Sequence, residues 1–195
     1  MLVVGLTGSV AMGKSATAAM FRARGVPIHD ADAAVRRLYQ GTAIAAVEAA
    51  FPGVAVDGAI DRRRLSERVF GDDAALALLE AIVHPLVRES EEAFLAKCRA
   101  EGCRIVVLDV PLLLETGRSD RVQAIVVVSA DAAVQRARVL ARPGMDEAKL
   151  AAILARQMPD AEKRRHAHFV VDSGRGFKAA EREVDAILRA LASAA

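Results

Sequence analysis

Near the start of the chain, Gly8-Ser9-Val10-Ala11-Met12-Gly13-Lys14-Ser15 carries two glycines, a lysine and a serine at the spacing Gly-x-x-x-x-Gly-Lys-Ser. That pattern suits phosphate. Glycines permit conformations and close approaches that a Cβ obstructs, so successive backbone N–H groups can turn toward an anion. The lysine reaches the β- and γ-phosphates of a nucleoside triphosphate, and the serine hydroxyl is placed for Mg2+. The pattern carries this meaning when a strand precedes it and a helix follows. Here the apolar run "MLVV" comes first, and a helix-like segment at 14–24 comes after, closed by Gly25 as a C-terminal cap.

Carboxylates follow at two further places. Asp30-Ala31-Asp32 comes directly after a second apolar run. In open α/β sheets, ligands bind beyond the carboxyl ends of strands, which puts both side chains on the side of the phosphate-binding loop. A carboxylate there can take a proton from an attacking hydroxyl or hold Mg2+ through water. The alternative is that Asp32 caps the helix "AAVRRLY". Asp109 ends the run "VVLD" and reads as a carboxylate near the metal shell, or as a buried strand end meeting a helix N-terminus. His84-Pro85-x-x-Arg88 reads as a helix start with two groups on one face, suited to an anionic or ribose-bearing ligand, or as a simple cap. Arg138, Arg142 and Arg156 form a basic set. An arginine aimed at a transferring phosphoryl group accelerates transfer by about 10³–10⁵. Arg138 and Arg142 lie four apart, which predicts one helix face; surface charge is the alternative.

The elements that must position these groups are legible as periodicity. Five short runs, at 2–6, 26–29, 105–109, 122–128 and 169–171, are continuously apolar and do not alternate, as in strands covered on both faces of a parallel sheet. Helical segments are predicted at 14–24, 85–98, 130–141 and 176–192. Alternating strands and helices give an α/β doubly wound domain. The connection from 30 to 104 is far longer than one crossover helix needs and is expected to form a helical subdomain. Residues 142–167 read as a basic helical hairpin, broken by Pro143-Gly144, capped by Asp146 and restarted by Pro159. Such a hairpin would serve as a lid.

Composition limits the remaining classes. At 195 residues, 53% hydrophobic and 27% charged, the chain is a globular one with a sizeable core. A net charge of +2 is too mild to imply nucleic acid. Two cysteines, Cys98 and Cys103, make no disulfide framework or zinc site. Apolar runs fall short of the roughly 20 residues of a membrane span, and no signal-peptide pattern opens the chain. A reduced, cytoplasmic protein is expected, with small-molecule partners and neither nucleic acid nor membrane. A monomer is expected, with an oligomer left open.

Taken together these residues resemble the dephospho-CoA kinase family nearly end to end. The matches are "GLTG" with Gly13-Lys14-Ser15, "HDAD" at 29–32, "AIVHPLVR" at 81–88, "LDVPLLLETG" at 108–117, "RVLARPG" at 138–144 and "RQMPDAEKRRHAHFVVD" at 156–172. The resemblance implies a P-loop NTPase fold: a five-stranded parallel sheet with helices on both faces, a helical substrate subdomain and a helical lid. It implies a single domain with a core at about 1–30, 104–137 and 168–195, a CoA-binding part at about 31–103 and a lid at about 138–167. The implied reaction moves the γ-phosphoryl group of ATP, with Mg2+, to the ribose 3′-hydroxyl of dephospho-CoA, the last step of CoA synthesis. Residues 8–16 (Gly8, Ser9, Val10, Ala11, Met12, Gly13, Lys14, Ser15 and Ala16) would hold ATP. Asp32 becomes the general base, and Lys14, Arg138 and Arg142 stabilise phosphoryl charge. Asp32, His84, Pro85, Arg88, Leu114 and Glu115 fall on the acceptor side, and Ser15 and Asp109 on the metal side. Ser9 and Ala11 depart from the family's usual glycines, and Ser173-Gly174 stands where an asparagine is common. Rival classes lack their marks: a guanine-binding switch needs an Asn-Lys-x-Asp run, and the corresponding stretch is "VSADAAVQ".

Overall fold

A computed structural model describes residues 1–194. In chain order the elements are β1 (Leu2–Thr7), α1 (Lys14–Ala23), β2 (Ile28–Asp30), α2 (Ala31–Leu38), α3 (Ile44–Ala50), β3 (Ala55–Val56), β4 (Ala59–Ile60), α4 (Arg62–Val69), α5 (Asp73–Ala100), β5 (Ile105–Asp109), β6 (Ala124–Ser129), α6 (Ala132–Leu140), α7 (Glu147–Leu154), α8 (Asp160–His166), β7 (Phe169–Asp172) and α9 (Phe177–Ala194). The five expected strands form one sheet of order β2-β5-β1-β6-β7, and β1 pairs in parallel with both β5 and β6, as β6 does with β7. No helix among the described residues is long and apolar enough to cross a membrane.

The chain divides into two compact units. One is Met1–His29 with the chain from Cys98 onward; the other is Asp30–Lys97. In the first, β1 and β6 run through the middle of the sheet and are buried almost throughout, which explains their unalternating sequences. One face is covered by α1 and α9. Ala18 and Phe21 of α1 and Ala180, Val184, Ile187 and Leu191 of α9 pack on Val4, Leu6, Val126 and Val128. The i, i+4, i+7 spacing on α9 is the apolar stripe that this burial requires. Gly25, at φ 77°, ends α1 as expected, and Val26 then donates back to the Phe21 carbonyl. On the other side of β1, Gly5 admits Leu113 from the segment after β5. A Cβ there would lie 2.5 Å from Leu113 Cδ2.

The second unit is mainly helical, and its core gathers Tyr39, Val47, Phe51, Val54, Ile60, Leu65, Val83 and Val87. It also contains an unexpected hairpin. Asp57 (φ 49°) and Gly58 (φ 76°) both adopt left-handed conformations between β3 and β4, the geometry that suits a two-residue turn of Asp-Gly type. A second departure concerns Pro85. It does not start a helix; it lies inside α5, with His84 beside it. Proline removes the donor for the carbonyl of Ala81, but Ala81 and Pro85 are both exposed, so water can satisfy that group. On the opposite side Val83 and Val87 are buried, and their packing carries the helix through.

Glu48 fastens the turn after α3, its two carboxylate oxygens accepting from the N–H groups of Gly53 (2.7 Å) and Ala55 (2.6 Å). The Gly53 bond first, then the Ala55 bond, lowers the Glu48 pKa below its ordinary 4.5. A carboxyl depressed on folding contributes stability above its unfolded pKa and loses it as pH falls through the folded value. Glu48→Gln is therefore expected to lower the urea midpoint near pH 7, and the gap from the native chain should close below about pH 4. A gap that stays constant down to pH 3 would contradict this origin.

Candidate active site

The phosphate-binding loop joins the central strand β1 to α1. Gly8 has no room for a side chain, since a Cβ would sit 2.6 Å from the Val128 carbonyl oxygen of β6. Gly13, at φ 93°, occupies the position just before α1. Asp30, Asp61 and Asp146 cap α2, α4 and α7 with their carboxylates, whereas α1 opens with no capping side chain and no acid in its first turn. Its first N–H groups and its dipole therefore favour an anion. Ser15, in the first turn, is exposed, and Ala16 is half-buried.

Of the two loop positions that depart from the family's usual glycines, Ala11 takes the left-handed conformation, at φ 58°, and Ser9 does not. That conformation costs an L-residue about 1–2 kcal/mol. Side chains from outside the loop hold it there. Gln135 Nε2 donates to the Val10 carbonyl (2.8 Å), and Arg138 Nη1 donates to that of Ala11 (3.3 Å). Ser173 Oγ donates to that of Met12 (2.7 Å), while the Val10 N–H donates to Gln157 Oε1 (3.0 Å). Three successive carbonyls are thus satisfied from behind. Arg138 also donates to Ser173 twice, from Nη1 to Oγ (2.8 Å) and from Nη2 to the carbonyl (2.9 Å).

Lys14 Nζ lies 2.5 Å from Asp109 Oδ1. The two come from the ends of adjacent strands, Lys14 by way of the loop after β1 and Asp109 as the last residue of β5, and both side chains are largely buried. Asp109 thus orients the lysine. Its carboxylate and the Ser15 hydroxyl are hard oxygen donors of the kind Mg2+ takes. No cluster of three or more His, Cys, Asp or Glu that could hold a metal ion occurs among the described residues.

The remaining predicted residues fall as follows. Arg142 is exposed and does not share a helix face with Arg138. α6 stops at Leu140, because a residue before proline, here Pro143, is disfavoured in the helical region. Arg156 is exposed beyond α7. Asp146 caps α7 and Pro159 precedes α8, as expected. Leu114 is half-buried. Glu115 Oε1 accepts from the Met158 N–H (2.9 Å) and meets Lys163 Nζ (2.8 Å). In the second unit, Asp30 rather than Asp32 caps α2, accepting from the Ala33 N–H at 2.8 Å. Asp32 stands exposed in the first turn, its carboxylate not spent on the cap. His84 and Arg88, four apart on α5, are both exposed.

Sequence reasoning did not find Gln135, Gln157, Lys163 or the bracing role of Ser173. A signal existed for two of them: Gln157 opens "QMP", and Ser173 marks a departure from the family pattern. Ser173→Ala removes one donor to the loop and one acceptor for Arg138. Hydrogen bonds of this kind are worth about 1 kcal/mol each. Nucleoside triphosphate affinity is expected to fall roughly five- to thirtyfold, measured by calorimetry; unchanged affinity would show that the loop keeps its shape without the brace.

The family described as "CoaE: Dephospho-CoA kinase" matches residues 2–178. A dephospho-CoA kinase of Mesorhizobium japonicum is 62% identical over 188 residues, covering 96% of this chain and 95% of the relative. Among solved structures, TT1252 from Thermus thermophilus aligns with a TM-score of 0.85 at 34% identity, covering 97% of each chain. Dephospho-CoA kinase from Campylobacter jejuni aligns at 0.68 and 20% identity over 97% of this chain and 96% of that one, a likeness of fold. The strand-loop-helix with its buried Lys14–Asp109 pair, set in a match that spans both units, places the chain in the dephospho-CoA kinase family.

Proposed function

We propose that the chain transfers the γ-phosphoryl group of ATP to the 3′-hydroxyl of dephospho-CoA, giving CoA and ADP. The observation that carries this reading is the reach of the family match. It runs from the phosphate-binding loop through Asp32 and the His84–Arg88 pair to the lid glutamine Gln157. A match confined to the loop would have left the acceptor unnamed, because that loop serves many acceptors.

The chemistry assigns each group a task. Residues 8–16 cradle the nucleotide, and the N–H groups at the open start of α1 bind the β- and γ-phosphates, those of Val10 and Met12 being bonded within the protein; Lys14 moves from Asp109 to the phosphate oxygens. Asp32 takes the proton of the 3′-hydroxyl as that oxygen bonds to the γ-phosphorus. The bond from phosphorus to the β,γ-bridging oxygen breaks, and ADP leaves with its electron pair. Arg138 and Arg142 counter the negative charge on the transferring group. His84, Pro85, Arg88 and Leu114 serve the acceptor. Bound Mg2+ would neutralise phosphate charge, with Ser15 and Asp109 as the residues to hold it. A monomeric, cytoplasmic enzyme fits the composition and the small-molecule substrates.

The test is ADP release with ATP and Mg2+ against dephospho-CoA, adenosine, AMP, CMP and shikimate. Turnover is expected with dephospho-CoA; robust turnover of another acceptor with none for dephospho-CoA would overturn the assignment. Asp32→Asn separately tests the base. It should bind ATP normally and lose about 10²–10⁴ in kcat, and a near-native kcat would remove Asp32 from that role.

A further inference from the structure

We infer that the buried Lys163–Glu115 pair is a positioning device for nucleotide binding, acting through Gln157 on the backbone of Val10. Lys163 is fully buried, 0% exposed, and its ammonium lies 2.8 Å from Glu115 Oε1. Taking a lysine out of water is costly, and apolar side chains of similar volume often serve stability as well or better. Stability alone therefore gives a weak reason for a lysine here. Its connections give a stronger one.

The same Glu115 oxygen accepts from the Met158 N–H, at 2.9 Å. Met158 follows Gln157, whose side-chain oxygen accepts from the Val10 N–H in the phosphate-binding loop. The Val10 carbonyl is taken by Gln135, so both main-chain groups of this residue are fixed, one from α6 and one from the linker between α7 and α8. At the start of α8, Asp160 Oδ2 accepts from Ser129 Oγ at the end of β6, at 2.6 Å. One turn later Lys163 reaches Glu115. Two polar anchors thus set α8 against the strand end and the segment after β5, and the linker that carries Gln157 follows from them. Glu115 and Lys163 need touch neither nucleotide nor acceptor to shape the site. This goes beyond the acceptor assignment and rests only on the reading of residues 8–16 as a nucleotide site.

The experiment compares the native chain with Gln157→Ala, with the paired variant Glu115→Gln/Lys163→Met, and with all three changes together. Exchange of the Val10 amide is followed by NMR, and MgATP affinity by calorimetry with no acceptor present. Failure of transfer to dephospho-CoA therefore leaves these readouts standing. The paired variant is expected to speed Val10 exchange and weaken MgATP by roughly five- to tenfold, as Gln157→Ala does. The triple variant should go no further, because both changes break one chain of contacts. Unchanged Val10 exchange in the folded paired variant would overturn the inference, as would effects that multiply in the triple. Glu115→Asp, which keeps the charge and draws it back by one methylene, serves if the paired variant does not fold. The same rise in Val10 exchange is expected of it, and native exchange there would also overturn the inference.

Discussion

A loop that aims its N–H groups at an anion must turn its carbonyls the other way, and every buried carbonyl so turned needs a donor. That constraint organises the first unit. Val10, Ala11 and Met12 present three carbonyls in a row, and Gln135, Arg138 and Ser173 supply the donors. α6 must therefore lie behind the loop, and the end of β7 must bring Ser173 beside Gly13. Gly8 must be glycine, because the loop passes against the β6 backbone. The left-handed Ala11 is tolerated within this frame, its strain offset by bonds made on either side of it.

The Lys14–Asp109 pair belongs to the same logic. A lysine with a free ammonium in a half-buried loop would carry a large desolvation cost. Asp109, the last residue of the neighbouring strand, meets that cost and aims the chain. The parallel register of β1 and β5 sets where Asp109 falls, with Leu6 opposite it. Sheet register, more than either side chain's own preference, thus sets the position of the chemistry.

Much of this is legible from residue types, because the candidate site groups are marked by spacing and the central strands by unbroken apolar runs. What escaped was decided by tertiary context. Pro85 reads as a helix start because proline there is locally favourable, yet Val83 and Val87 are buried on one side and carry the helix past it. Asp57-Gly58 is a strong turn signal, but strands of two residues each are too short to show a period. Arg142 reads as part of the helix of Arg138, yet α6 ends two residues before it, ahead of Pro143. Gln135, Gln157 and Lys163 are polar residues within helical or linker sequence, where nothing local separates a solvated side chain from one that reaches a distant backbone.

The strand β2 has only three residues and sits at the sheet edge, beside β5. Between the two lies the whole of the second unit. Joining neighbouring strands through so long a segment costs little at equilibrium, since closure entropy grows only with the logarithm of length. The effect on rate is larger. Contacts between Pro27 and Val107 can form only once the intervening chain has been gathered in, and pairings so distant in sequence form slowly. The inserted unit also carries a core of its own, so a change on its surface leaves the register of the central strands as it is.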